Sequence, residues 1–68
     1  MVTFEAVGTG GKDQLHAAVN ACCANGVTVD HQEEIPSRGI FMLKAASPDA
    51  RSAQAAIAAA AFSLVLFD

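Results

Sequence analysis

Val2, Phe4 and Ala6 alternate with Thr3, Glu5 and Val7, a period of two that predicts a first strand over residues 2–7 with one mainly apolar face and one mixed face. Gly8-Thr9-Gly10-Gly11 should break it, because three glycines in four residues favour turns. From Lys12 the apolar positions fall at Leu15, Ala18, Val19, Cys22 and Gly26, one helical stripe with Asp13, His16 and Asn20 facing away, and Asn25-Gly26 supplies the stop. Val27-Thr28-Val29 restarts strand character. The same face continues as His31 and Glu33, so this second strand is apolar only at its beginning and should run along an exposed edge. Pro36-Ser37-Arg38-Gly39 reads as a turn, and Ile40-Phe41-Met42-Leu43 opens a third strand over residues 40–46 with large apolar groups on both faces. Ser47 is expected to cap a second helix, with Pro48 at its first position and Asp49 meeting the positive end of the dipole. Ala50, Ala53, Ile57 and Ala60 line one face of that helix, and residues 63–67 close the chain as a fourth strand.

Strand, helix, strand, strand, helix, strand is the βαββαβ order of the ferredoxin-like α+β fold. Right-handed crossovers place both helices on one face of a four-stranded antiparallel sheet, with the first and third strands central. The other face then has no cover within the chain. Val7, Val65 and Phe67 are expected there, with either the Ile40/Met42 or the Phe41/Leu43 pair. An open apolar face invites a partner.

Composition sharpens this picture. Sixty-eight residues make a single domain, 1–68, and hydrophobic residues reach 53% of it. Many of those are alanines, which bury little area, so a chain this short gains from pairing with a second copy. A homodimer is therefore expected. The net charge of −3 and the absence of Trp and Tyr supply neither a phosphate-neutralising patch nor stacking platforms, which argues against nucleic acid. The longest apolar run, residues 55–62, falls far short of the roughly 20 residues that span a bilayer, and the start of the sequence carries no leader pattern. No membrane partner is expected. Adjacent Cys22 and Cys23 point about 100° apart on a helix and suit a reduced, cytoplasmic setting.

Candidate chemistry is sparse. Cys22 reads as a core residue and Cys23 as an exposed neighbour; His16 and His31 read as solvated side chains; Asp30, Glu33 and Glu34 read as an acidic edge that blocks sheet aggregation. No Ser/His/Asp or Cys/His grouping has a recognisable spacing, so catalysis is not expected, and neither is a cofactor. The loop at Gly8, Thr9, Gly10 and Gly11, running into Lys12 and Asp13, is the candidate binding site, since N–H groups at a helix start attract anions. It lacks the Gly-Lys-Ser/Thr ending of a P-loop, and a plain turn is the other reading.

The run Val7-Gly8-Thr9-Gly10, the helix end Ala24-Asn25-Gly26-Val27-Thr28-Val29 and the strand opening Arg38-Gly39-Ile40-Phe41-Met42 resemble ACT domains, small amino-acid-sensing modules of metabolic enzymes. The resemblance implies a non-catalytic regulatory dimer with an amino-acid-like ligand near residues 8–13 and the facing second strand. Asp13-Gln14-Leu15, Asn25-Gly26-Val27-Thr28-Val29-Asp30-His31, Ile35-Pro36 and a short terminal strand ending in Asp68 also resemble propeptide-type inhibitors of subtilisin-like proteases. That resemblance implies a protease partner, with the tail from Leu64 to Asp68 projecting into its active site. A purely structural homodimer is the third expectation.

Overall fold

The computed structural model describes residues 1–67. Its elements are β1 (Val2–Thr9), α1 (Lys12–Ala24), β2 (Thr28–Ile35), β3 (Ile40–Ser47), α2 (Ala50–Ala60) and β4 (Leu64–Phe67). All neighbouring strands are antiparallel and the sheet order is β2-β3-β1-β4. This is the ferredoxin-like α+β fold, with β1 and β3 central as their apolar alternation requires.

One face of the sheet carries the core. Phe4 and Ala6 of β1 and Phe41, Leu43 and Ala45 of β3 pack with Leu15, Ala18 and Cys22 of α1 and Ala53 and Ala56 of α2. The buried rings thus come from the sheet, and apart from Leu15 the fully buried helix residues are small, which lets each helix lie close to the strands. The ambiguity between the two β3 pairs resolves through the register. Met42 sits opposite Val7 and Ile40 opposite Thr9, so Ile40/Met42 share the open face and Phe41/Leu43 face the helices.

Four expectations change. First, β1 does not stop at Val7: Gly8 is a buried strand residue opposite Phe41, and a β-carbon there would stand 2.2 Å from the Phe41 Cζ. The glycine is required by the ring beneath it, not by a turn. Second, Ser47 is the buried last residue of β3, its hydroxyl donating to the Asp49 carbonyl at 2.7 Å. The cap is Asp49, whose Oδ1 accepts the Ser52 N–H at 2.7 Å, so α2 begins two residues beyond the expected position. Third, β4 lies with Val65 opposite Ala6 and Phe67 opposite Phe4, which turns Val65 and Phe67 toward the helices and Leu64 and Leu66 onto the open face. Fourth, β2 shifts register between Val29 and His31, leaving Asp30 as an extra residue. Val29 packs against the core, whereas His31 and Glu33 emerge on the opposite face, because one inserted residue reverses every side chain after it.

The helix ends follow local chemistry. Gly11 caps α1 in extended conformation while Gln14 Oε1 accepts its N–H at 2.9 Å. At the other end, Asn25 Nδ2 donates to Ala21 O, and Gly26, at φ 75°, returns the chain so that Val27 N–H reaches Cys22 O. The α2 terminus uses Ala61 in the left-handed region, φ 53° and ψ 49°, its N–H donating to Ile57 O. An alanine there carries steric cost that glycine would not.

Two measurements check these assignments. Ala61→Gly should stabilise the fold by up to about 1 kcal/mol, raising Tm on thermal denaturation, since the left-handed cap is retained and its strain removed. The hydrogen bond from the Ser52 N–H holds the Asp49 carboxyl below the usual aspartate range. A carboxylate with a depressed folded pKa stabilises fully above its unfolded value, about 3.9, and loses that contribution as pH falls through the folded value. The Tm difference between the native chain and Asp49→Asn should therefore be flat from pH 7 to about 5 and shrink as the pH drops through the acid side of 3.9.

Candidate functional site

The structure divides the six expected loop residues. Gly8 and Thr9 belong to β1, Gly10 and Gly11 form the turn, and Lys12 and Asp13 are exposed in the first turn of α1. Gly10 adopts φ 127°, and its N–H donates to Gly39 O at 2.7 Å, tying the loop to the β2–β3 turn, where Gly39 has φ 66°. The Gly11 N–H is taken by Gln14. Two of the N–H groups that could cradle an anion are thus spent inside the protein. Glu34, on the helix side of β2, brings its carboxylate to the same place: a β-carbon on Gly11 would stand 3.7 Å from Oε2. A carboxylate at the mouth of the loop opposes a second anion.

The open sheet face holds a different arrangement. Residues opposite one another across antiparallel strands share a face, so the register lays Leu66, Glu5, Lys44 and His31 in one row across all four strands. The next row is Leu64, Val7, Met42 and Glu33. Between these rows lies a cleft of about 220 Å³ lined by Glu5, His31, Glu33, Met42, Leu43 and Lys44. Lys44 stands between Glu5 and His31, and among the described residues its ammonium enters no ion pair. A cation, carboxylates and a thioether are thereby brought together from three strands.

The sequence places Glu33 on an aggregation-blocking edge and His31 in solvent, and marks neither Glu5 nor Lys44 as a site residue. The missing signal was the Asp30 bulge, which alone carries His31 and Glu33 round to the face that already holds Glu5 and Lys44. A second cleft of about 460 Å³, lined by Met1, Gly26, Thr28, Asp30, Ala46, Ser47 and Pro48, has Asp30 as its one charged side chain.

The cysteines fall as expected: Cys22 is buried and Cys23 exposed. Burial, and then the neighbouring Cys23, push the Cys22 thiol up, away from the thiolate that reacts or binds metal. His16 lies exposed on α1, apart from His31 on the open sheet face, and among the described residues no group of three or more His, Cys, Asp or Glu side chains could hold a metal ion. No helix among them is long and apolar enough to cross a membrane.

The two turn glycines should respond differently to substitution. Gly10→Ala puts a β-carbon 2.5 Å from Gln14 Cγ at a φ of 127°, so it should lower Tm clearly. Gly11→Ser has a negative φ, no neighbour closer than 3.7 Å and a better capping side chain, so its Tm should hold or rise.

No family model matches this chain, and comparison with curated proteins and with solved structures returns no match.

Proposed function

We propose that this protein is a non-catalytic, regulatory binding module that takes a small amino-acid-like ligand on its open sheet face and acts as a homodimer. The observation that carries the reading is the mixed-charge cleft, in which Lys44 is flanked by Glu5 and His31 with Glu33 and Met42 in the adjoining row. A zwitterion fits this chemistry. Lys44 meets its carboxylate, Glu5 or Glu33 its ammonium, and Met42 offers an apolar surface to its side chain.

The same class of ligand is what the ACT-domain resemblance implies, at a different address. The glycine loop has given two N–H donors to its own bracing and faces Glu34. Exposed charges contribute little in water, so affinity in an isolated copy is modest. The protease-inhibitor reading needs the chain end to project. Leu64 to Phe67 instead pair with β1 from Val7 to Phe4, and Asp68, which also belongs to that expected tail, lies outside the described residues.

Thermal shift and titration calorimetry with a panel of α-amino acids test the proposal, since a ligand that binds only the folded state raises Tm in proportion to RT ln(1 + [L]/Kd). At least one amino acid should raise Tm; Lys44→Ala should abolish the shift and Lys12→Ala should preserve it. Loss of binding in Lys12→Ala with retention in Lys44→Ala would return the site to the glycine loop. No shift with any member of the panel at millimolar concentration sinks the reading.

A further inference from the structure

The two edges of the sheet are built differently. β2 carries Asp30 at its bulge, then His31, Glu33 and Glu34, so a second copy paired along it would set carboxylates against carboxylates. β4 is Leu64-Val65-Leu66-Phe67, without a charge, a proline or a bulge. Its outer side offers unpaired main-chain groups, and Leu64, Leu66 and Phe67 are 54%, 57% and 51% exposed. A bare apolar edge of this kind is a template for another strand.

We infer that β4 pairs antiparallel with β4 of a second copy, about a two-fold axis through Val65, joining the two sheets into one of eight strands. The occupant follows from the sequence of the edge. Leu64-Val65-Leu66 reads the same in both directions, so under the two-fold each leucine meets the other leucine and Val65 meets itself. An isologous interface requires that self-complementarity.

The register follows from the pleat. Two neighbouring antiparallel strands related by a two-fold have the axis perpendicular to the sheet, so both copies keep their helices on the same side. Residues placed opposite each other must then belong to the same face. Leu64 and Leu66 lie on the open face and Val65 and Phe67 on the helix side. An axis between Val65 and Leu66 would oppose residues of different faces and is excluded. An axis on Val65 puts Leu64 opposite Leu66 of the second copy twice over, extending the apolar end of both open-face rows across the junction. Four residues make a short interface, well below the roughly 800 Å² per partner of standard complexes, so the dimer forms in a concentration-dependent way.

This inference deepens the dimeric part of the proposed function and does not depend on the ligand. Sedimentation over a concentration series, without amino acids present, should show mass rising from 7.0 kDa toward twice that value. Leu66→Lys should remain folded by circular dichroism, since the side chain is more than half exposed, and sediment as a monomer. Ile40→Lys, on the open face but away from the edge, should still dimerise. In a Cys23→Ser background, Val65→Cys should give an interchain disulfide on mild oxidation, which a face-to-face pairing of the open sheets cannot give because position 65 points to the helix side. A concentration-independent mass of 7.0 kDa overturns the inference. So does a dimer that Ile40→Lys dissociates and Leu66→Lys does not, or a dimer in which Val65→Cys fails to cross-link. Amino-acid binding by a strictly monomeric chain would refute the dimer and leave the ligand reading standing.

Discussion

Phe41 lies across Gly8, and the rest of the packing depends on that contact. A ring this deeply buried, 2% exposed, needs a flat floor on the neighbouring strand, and glycine supplies it by having no side chain to meet. With Phe41 laid down, Phe62 packs against it at 6.4 Å between ring centres, which fixes where the chain leaves α2 and turns into β4. Phe4 does the same further along β1, its ring 6.0 Å from Phe67 at the sheet edge. The helices answer the rings on the sheet mostly with small groups, Ala18, Cys22, Ala53 and Ala56, beside the larger Leu15. Replacing such alanines by larger side chains would lift a helix off the rings, because interiors packed to crystal density have no slack to absorb a methyl group.

Placing both helices on one face leaves the other bare. Val7, Ile40, Met42, Leu64 and Leu66 have no covering layer, and they share that face with Glu5, Lys44, His31 and Glu33. The mixture separates by strand. Leu64 and Leu66 make the β4 end of this face apolar, whereas His31 and Glu33 stand with Ile35 at the β2 end.

The alternation of β1 and β3 was legible because both strands are central and their periods are set by burial on one side. The helical stripes of α1 and the exposure of Cys23 were legible for the same reason. What escaped was decided by partners distant in sequence. Gly8 reads locally as a strand breaker; only the opposing Phe41 makes it a strand residue. Ser47 and Asp49 are both good capping side chains two residues apart. The choice between them was made by the depth to which Ser47 is drawn in at the end of β3, where its hydroxyl supports the Asp49 carbonyl instead of an N–H. The left-handed Ala61 had no sequence signal, since alanine is a strong helix former and a poor cap. Glu34 reaches the glycine loop only because the β2–β3 turn folds Gly39 back onto Gly10.

The Asp30 bulge shapes both the open face and the β2 edge. An unbroken β2 would have kept His31 and Glu33 on the side of Val29 and put Gln32 and Glu34 on the open face in their place. By inserting one residue the strand turns His31 and Glu33 outward and gives the open face the acidic and imidazole groups that complete the cleft beside Lys44. The same insertion interrupts the regular spacing of main-chain groups along β2, and with its carboxylates this closes that edge to another strand. One irregularity therefore both assembles the polar cleft and leaves β4 as the uncharged edge of the sheet.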